Sequence, residues 1–361
     1  MREARASRGL VVVYDRQDLE SRNGMGTADI QEMLNARFGS NINLLIYTGG
    51  CKTWKNNMIS SSSNQIWQVK DGTLINLQKD LGSVSMTEPG TLSGYVKWCA
   101  ENYPASRYEL ILWDHGGGSV RGYGYDEKFA SSGSMSLAGL DSALRDAGVK
   151  FDFIGFDACL MATVETALTM SQYADYLIAS EETEPGAGWY YTDWLTALGE
   201  NTSMPTIQVG QNIADSFVDT CARRCQGQLT TLSVTDLAEL EHTLPQALAQ
   251  FSNSTAELIR DQQYQTVSNA RNGAREFAQS SKIDQIDLVH LAQNLDTQEG
   301  NALTEALLGA VKYNRTSSNM TNAYGLSIYF PYRKTSTVNR AVSTFEEIGM
   351  DEAYTRCIRQ F

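Results

Sequence analysis

The sequence predicts an α/β protein with a largely parallel central β-sheet. In the first half of the chain, short apolar runs alternate with segments whose apolar residues recur at helical spacing, which is typical of successive β-α-β units. The segment 65–77 predicts a hairpin, because its Asp71-Gly72 dipeptide suits a tight primed turn. Five apolar runs are short enough to be buried strands, at 9–14, 43–47, 108–114, 151–156 and 175–180.

Helices are predicted between these strands and through most of the second half. We expect Thr27 to cap a first helix that ends at Gly39, with further helices at 89–102, 136–147 and 160–173. Beyond about residue 200, β runs at 229–234 and 325–331 interrupt a series of helical patterns, at 206–225, 236–260, 284–294, 300–314 and 351–359. We therefore predict a core over residues 1–200 and a mostly helical C-terminal region over residues 201–361 that contributes strands to the same sheet.

The chain is acidic, with 29 Lys and Arg against 42 Asp and Glu and a net charge of −13. Such a surface argues against a nucleic-acid partner, which needs a basic patch, and most simply indicates solubility. No apolar run approaches the length of a membrane span. The first ten residues are basic but lack the apolar stretch of a signal peptide, so we expect any targeting signal to be absent from this sequence.

The six cysteines are too sparse for a disulfide scaffold in a chain of this length. Cys221 and Cys225 lie four residues apart on a predicted helix, with no histidine or further cysteine close by in sequence. We interpret them as ordinary thiols and predict no metal site.

Two strand ends carry the residues that point to chemistry. One predicted strand is followed by His115 and three glycines, and the next ends at Asp157-Ala158-Cys159. The helix predicted at 136–147 joins them, and such crossovers connect parallel strands with a fixed hand. The two carboxyl ends therefore point the same way, and we expect His115 and Cys159 at the same edge of the sheet, where open α/β folds place ligands.

The setting of Cys159 fits thiolate chemistry. A helix starting directly after Cys159 would lower the pKa of the thiol, and the imidazole of His115 would help further and protonate a leaving amine. The glycines at 116–118 allow close approach of a substrate, and N–H groups such as those of Gly116 and Cys159 suit an oxyanion hole. Considered alone, Cys159 is most simply a small buried hydrophobic residue and His115 a turn residue. Their placement at the same edge of the sheet favours a catalytic role for both.

Five segments in this order resemble the clostripain family of cysteine peptidases, which shares a clan with caspases, gingipains and legumain. They span nearly the whole chain: DLESRNGMGTADIQEM at 18–33, LILWDHGGG at 110–118, FIGFDACLMATVETA at 153–167, SEETEPGAGW at 180–189 and GLSIYFP at 325–331. The resemblance implies a caspase-like three-layer α/β sandwich. It also implies a dyad of His115 and Cys159 that needs no third orienting residue.

The resemblance further implies cleavage after Arg or Lys, with Asp157 at the base of the pocket for P1, the residue before the cleaved bond. A buried carboxylate would pair with a basic side chain there, although a strand-end Asp also suits turn hydrogen bonds. Glu182 and Thr183 lie in the segment that walls the substrate cleft of relatives. Some relatives carry a second acidic residue near the following Pro-Gly turn, where this chain has the neutral Gly186-Ala187-Gly188. Glu182 or Glu184 would compensate, or both are simply solvated.

Activation by self-cleavage is a further implication of the family. The loop at 119–134 lies between His115 and Cys159 and offers Arg121 and Lys128, of which we favour Lys128 because a small flexible stretch follows it. The loop also reads as an ordinary surface loop. We expect a monomer, or a nicked form whose two chains stay associated. We expect a secreted or cell-surface bacterial enzyme with no required cofactor. Some relatives depend on calcium, for which the sequence names no ligands.

Two other functions compete with a peptidase specific for basic residues. One is a catalytically inactive caspase-like binding or scaffold protein, against which the intact His115, Cys159 and glycine loop count. The other is a transpeptidase or an Asn- or Asp-specific relative. Asp157 counts against the latter, because a carboxylate pocket repels acidic side chains.

Overall fold

The computed structural model describes residues 9–16, 18–332 and 335–361. Twelve strands are found in these residues, β1 to β12 in chain order: Gly9–Arg16, Ile42–Gly49, Gln65–Lys70, Thr73–Gln78, Tyr108–Trp113, Phe151–Asp157, Ala174–Ala179, Thr231–Asp236, Glu276–Phe277, Gln285–Asp287, Val311–Thr316 and Ser327–Tyr329. The predicted hairpin is confirmed as β3 and β4, and both Asp71 and Gly72 of its turn have positive φ.

Fourteen α-helices are found in the same residues, α1 to α14: Asp18–Asn23, Met25–Asn35, Pro89–Asn102, Gly118–Arg121, Leu137–Ala147, Val164–Met170, Tyr191–Glu200, Thr206–Arg224, Leu237–Leu258, Tyr264–Gly273, Leu288–Leu295, Gln298–Ala310, Thr335–Glu347 and Glu352–Gln360. The predicted helix at 89–102 is confirmed as α3. The helix predicted at 136–147 is confirmed as α5, whose first turn is capped by the hydroxyl of Ser136 and whose end is marked by Gly148 in the left-handed region.

Among the described strands, nine form one sheet in the order β11-β8-β7-β6-β5-β1-β2-β3-β4. The five central strands, from β7 to β2, are parallel to one another, and antiparallel strands extend the sheet on both sides. The C-terminal half contributes β8 and β11 to this sheet. The predicted division of the chain near residue 200 stays a prediction.

Helices cover both faces of the sheet and make the molecule a three-layer sandwich. One apolar core lies between the sheet and a layer that includes α3, α5, α6 and α9, and the other lies between the sheet and α2, α7 and α8. Side chains of the central strands point alternately into one core and the other. Val12 and Tyr14 belong to the first, and Val11 and Val13 belong to the second. Apolar runs without alternation are what a parallel sheet buried on both sides requires.

Three helix and strand predictions are wrong in ways that matter for the rest of the molecule. The helix predicted to be capped by Thr27 is α2, which begins at Met25 after Gly24 in the left-handed region. Thr27 lies inside this helix and donates its hydroxyl to the buried Glu20 instead. The pattern predicted as one helix at 300–314 ends at Ala310 and continues as β11. The predicted β run at 325–331 does not join the main sheet, because β12 pairs with β10 in a separate three-stranded sheet.

Candidate functional site

The residues predicted to carry chemistry follow two adjacent strands. β5 and β6 pair in parallel with Trp113 opposite Asp157, so the chain continues from both strands at the same edge. His115 follows β5 by two residues, and Cys159 follows β6 by two residues. The crossover through α5 therefore places the two side chains together, as the sequence predicted.

A small cleft at this edge contains both residues. Its walls come from the β5 and β6 ends, from α1 and α2, and from the turn at 184–188. His115, Cys159 and Asp157 all line it, together with Glu184. The cleft thus combines a thiol, an imidazole and four carboxyl groups, a set of groups that can support nucleophilic chemistry by the thiol.

His115 is oriented by an acidic residue that the sequence did not single out. Nε2 of the ring lies 2.7 Å from Oδ1 of Asp18, whose side chain is largely buried. Arg22 in turn pairs with Oδ2 of Asp18 at 3.3 Å. Asp18 begins α1, just after β1, and β1 neighbours β5 in the sheet. In the sequence, Asp18 is an acidic residue that follows a predicted strand. This position indicates a contact with His115 once β1 is known to lie beside β5.

Cys159 is partly buried, and its sulfur accepts a hydrogen bond from the backbone N–H of Glu184 at 3.2 Å. Burial raises the pKa of the thiol, the Glu184 N–H lowers it, and the charges of Glu182 and Asp157 raise it further. The net direction is upward, so the thiol of the free site is held in its protonated form.

The predicted helix effect on this thiol is wrong. The helix after Cys159 starts at Val164, with Thr163 as its cap, and not at residue 160. Leu160 adopts a positive φ of 66°, and its N–H donates to the carbonyl of Glu182 at 3.1 Å. Its own carbonyl accepts from the side chain of Gln285 at 2.9 Å. The turn after the nucleophile is therefore held by neighbouring loops, and the short α6 is too distant in sequence to act on the sulfur.

The glycines after His115 pack against the chain itself. A Cβ atom at Gly116 would collide with the carbonyl oxygen of Cys159, so only glycine permits this approach of the two strand ends. The N–H of Gly117 donates to the carbonyl of Gly122 at 2.8 Å and is already used. The N–H groups of Gly116 and Cys159 stay the predicted pair for an oxyanion.

Asp157 is 5 % exposed and lines the cleft. Its Oδ2 accepts hydrogen bonds from the N–H of Trp189 at 3.2 Å and from the hydroxyl of Tyr191 at 2.8 Å. Burial raises the pKa of Asp157, while interactions with Glu184, Tyr191 and Trp189 lower it. The carboxyl group is thus fixed in place by donors on the 189–191 segment.

Other acidic side chains, among them Glu184 and Asp29, line the cleft beside Asp157. Glu184 lies in the turn after β7, and Asp29 lies on α2, where it accepts the indole N–H of Trp113 at 2.5 Å. A Cβ atom at Gly188 would lie 3.2 Å from Oδ2 of Asp29 and 3.4 Å from Oδ1 of Asp157. Gly188 therefore keeps the space between these carboxyl groups open. Sequence analysis missed Asp29, because its position inside an ordinary helix gives no signal.

The structure places the predicted substrate-binding residues Glu182 and Thr183 outside this cleft. The carboxylate of Glu182 is buried and accepts the N–H groups of Thr183 at 2.8 Å and Ala278 at 3.1 Å. Thr183 is exposed. Of the two alternatives for a compensating acid, Glu184 is the one that reaches the cleft. A role of Glu182 or Thr183 in binding a longer substrate stays a prediction.

Lys128, the predicted cleavage site, lies in a well-anchored part of the 119–134 loop. Its Nζ donates to the carbonyl of Ser61 at 2.8 Å, and its N–H donates to the buried carboxylate of Asp126 at 2.8 Å. The following residues 130–133 are exposed. The bond after Lys128 thus lies close to an exposed stretch of the loop.

Other predicted features lie away from the cleft. Cys221 is buried on α8, where burial raises the pKa of its thiol to about 12, and Cys225 ends the same helix. In the described residues, no group of three or more His, Cys, Asp and Glu side chains is placed to hold a metal ion. A calcium requirement stays a prediction. Within the same residues, no helix has both the length and the apolar character needed to cross a membrane.

Solved structures of cysteine proteases share the caspase-like three-layer fold of this chain. Among solved structures, a secreted cysteine protease of Bacteroides thetaiotaomicron in complex with an irreversible peptide inhibitor superposes with a TM-score of 0.68 at 21 % identity, over 96 % of this chain and 100 % of that chain. An inactive protease zymogen of Parabacteroides distasonis gives a TM-score of 0.70 at 23 % identity, over 97 % of each chain.

A family model described as the clostripain family matches residues 13–350, and the chain belongs to that family. Clostripain of Hathewaya histolytica is 30 % identical over 127 residues, which make up 30 % of this chain and 23 % of clostripain. The match thus spans about a quarter of that curated relative. The expected family and the expected caspase-like fold are both confirmed.

Proposed function

We propose that this protein is an endopeptidase that cleaves peptide bonds after Arg or Lys, with Cys159 as nucleophile and His115 as the group that moves the proton. The observation that carries the proposal is the cleft itself. It joins Cys159 and His115, from adjacent parallel strands, to the buried carboxyl of Asp157 two residues before the nucleophile. A scaffold protein would not need this combination.

The chemistry follows from the contacts of each group. Asp18 faces Nε2 of His115, so Nε2 carries a proton and Nδ1 is the nitrogen that accepts the proton of the thiol. The sulfur of Cys159 then attacks the carbonyl carbon, and the N–H groups of Gly116 and Cys159 stabilise the negative oxygen. Protonated His115 donates to the leaving amine as the C–N bond breaks, and water later releases the acyl group.

The raised pKa of Cys159 means that the thiol is neutral before substrate arrives. Transfer of its proton to His115 therefore belongs to the catalytic cycle, and the ion pair forms only as the carbonyl carbon comes within reach. The hydrogen bond from the Glu184 N–H holds the sulfur in position meanwhile.

Selection of the P1 residue is assigned to Asp157. Its Oδ2 accepts the hydrogen bonds from Trp189 and Tyr191, and both carboxylate oxygens face the space that Gly188 leaves open. A guanidinium or ammonium group entering the cleft would find a negative partner there, in a site where water screens the attraction poorly.

Activation by self-cleavage is proposed to occur after Lys128. The two fragments would remain associated, because residues before the loop form β5, residues after it form β6, and these two strands pair in the sheet. The contact of Lys128 with Ser61 must open before the chain can enter an active site. Protein or peptide substrates, a monomeric or nicked two-chain state and secretion from a bacterium complete the proposal, and a relative described as secreted supports the last.

The test is a panel of fluorogenic peptides that differ only in P1, carrying Arg, Lys, Asn or Asp. We expect hydrolysis of the Arg and Lys peptides by the wild type and none by Cys159→Ala. Cys225→Ala is the matched control, because Cys225 is a comparably exposed thiol on α8, and it should keep full activity. Equal cleavage of the Asp peptide, or full activity of Cys159→Ala, would overturn the proposal.

A further inference from the structure

We propose that Glu184 is the second acidic group of the P1 pocket, and that Asp157 and Glu184 share one proton in the free enzyme, which a cationic P1 side chain expels into the solvent as it enters. The inference rests on the proposed function, since it concerns how the same cleft recognises Arg and Lys. The turn that follows Glu184 is the neutral Gly186-Ala187-Gly188, so Glu184 is the acidic side chain that this segment brings to the cleft.

The two carboxyl groups are held differently. Asp157 is fixed by Trp189 and Tyr191 through Oδ2, as described above. Glu184 is held loosely, because the indole N–H of Trp189 lies 3.4 Å from its Oε1. Oε2 of Glu184 is buried and accepts no hydrogen bond from an N–H or hydroxyl group in the part of the chain that the structure describes. Besides Trp189, the Glu184 side chain meets the carboxyl of Asp157.

Two carboxylates in contact cannot both ionise in a buried site, so the pair retains one proton. Burial and the neighbouring Asp157 raise the pKa of Glu184 well above its ordinary value, and the pKa of Asp157 is raised as well, first by burial. The shared proton supplies the donor that Oε2 of Glu184 otherwise lacks. The free cleft therefore carries one negative charge on this pair, and the occupied cleft carries two.

The surrounding groups provide no competing cation. Arg224 on α8 pairs with Glu32 at 3.2 Å, and in the described part of the chain no Lys or Arg forms an ion pair with Asp157 or Glu184. The other titratable groups around the pair are the carboxyl groups of Asp29, Glu32 and Asp114, the thiols of Cys159 and Cys221, the hydroxyl of Tyr191 and the imidazole of His115. A P1 cation is the missing partner.

The expected consequence is a selectivity that depends on pH. Below the raised pKa of the pair, a guanidinium must displace the proton, so binding weakens as the pH falls. Above that pKa both carboxylates are free, and the preference for a cation reaches a plateau. The ratio of kcat/KM for a P1 Arg peptide to that for the P1 citrulline peptide isolates this effect, because citrulline is neutral and nearly the same shape. Any effect of pH on the chemical step itself acts on both peptides and cancels in the ratio.

The experiment measures this ratio against pH for wild type, Glu184→Gln and Glu200→Gln. For wild type we expect the ratio to rise with pH, by up to about tenfold per pH unit, and then to level off. Glu184→Gln should lower the plateau about tenfold and flatten the profile, since one carboxylate and the shared proton are gone. Glu200→Gln removes an exposed carboxylate at the end of α7, outside the cleft, and it should keep the wild-type rise.

The outcomes separate the inference from the proposed function. A wild type that prefers Arg with a flat ratio across the pH range would overturn the shared proton, and an unchanged plateau in Glu184→Gln would overturn the second acid. The wild-type profile decides the first point even if the variant fails to fold. A wild type that cleaves the citrulline peptide as well as the Arg peptide at every pH would instead overturn the proposed function, and the inference with it.

Discussion

Oδ1 of Asp18 lies 2.7 Å from Nε2 of His115. The other ring nitrogen, Nδ1, is the one proposed to accept the thiol proton. The contact joins the start of α1 to the end of β5, two elements far apart in sequence that the sheet order brings together. It fixes both the orientation of the ring and the nitrogen that carries the proton. Asp18 is a positioning residue in this account, since it acts through His115.

Asp18→Ala is therefore expected to lower kcat by about 10- to 100-fold with little change in KM, because the ring loses its orientation while the pocket for P1 is untouched. Steady-state kinetics on the P1 Arg peptide check this. Arg22→Ala is the control, because it removes the mostly exposed partner of Asp18 and leaves the contact with His115 in place. A rise in KM at constant kcat would show that Asp18 shapes the pocket instead.

Gly116→Ala is expected to lower kcat/KM by about 100-fold or more, because the new Cβ would push the carbonyl of Cys159 and displace the nucleophile by a fraction of an ångström or more. The melting temperature should fall as well. Gly94→Ala serves as the control, since a Cβ at this position on α3 meets nothing within 4 Å and alanine favours a helix. Full activity of Gly116→Ala would mean that the two strand ends can separate freely.

Lys128→Ala is expected to remain a single chain under conditions in which wild type becomes two, as gel electrophoresis and mass spectrometry of the fragments would show. Arg121→Ala removes the other basic residue of the loop, which contacts the carbonyl of Ser281, and should still be cut after Lys128. Cys159→Ala should stay intact in the absence of other proteases. Cutting of Cys159→Ala at the same rate as wild type would contradict self-cleavage.

Glu109 gives a prediction about stability that is independent of the cleft. It is buried on β5, and burial raises its pKa to about 7, against a lowering effect of Arg107. The folded state therefore holds this proton more tightly than the unfolded state, so its stabilising effect is present at low pH and is lost as pH rises through about 7. The free energy of unfolding falls by about 3 kcal/mol as the pH rises from the pKa of Glu109 in the unfolded state to that in the folded state.

Glu109→Gln should remove that loss. We expect the variant to be more stable than wild type above about pH 7 and the difference to shrink toward low pH, as chemical denaturation at several pH values would reveal. Exposed Glu101→Gln, near the end of α3, should follow the wild-type curve. A wild type whose stability rises from pH 5 to 7 by about as much as that of Glu109→Gln would contradict the account.

The part of the site that depends on local sequence was predictable. A strand, a helix and a second strand between residues 108 and 157 require a parallel pair, and this alone places His115 beside Cys159. The Asp18 contact required knowledge that β1, and not another strand, lies next to β5. That order is set by packing over the whole sheet and leaves no mark in a short segment.

The local backbone conformation was the other feature that could not be predicted from the sequence. Residues 160–163 have helical spacing, yet the positive φ of Leu160 and the cap at Thr163 delay the helix. Likewise, whether Glu182 or Glu184 enters the cleft is decided by the course of the chain after β7. There the hydroxyl of Thr231 accepts the N–H groups of Glu181 and Glu182 at 3.0 and 3.1 Å. Hydrogen bonds to a residue fifty positions away are beyond the reach of a local pattern.

The central claim, that Cys159 attacks substrates with a basic P1 residue, is tested most directly by covalent labelling. The protein would be treated with a peptidyl chloromethyl ketone carrying Arg at P1, and the modified residue would be located by mass spectrometry of digested protein. The account predicts a single adduct on Cys159, slow labelling in His115→Ala and Asp157→Asn, and little labelling by the same reagent with Asp at P1. An adduct on another cysteine, or equal labelling by the Asp reagent, would contradict it.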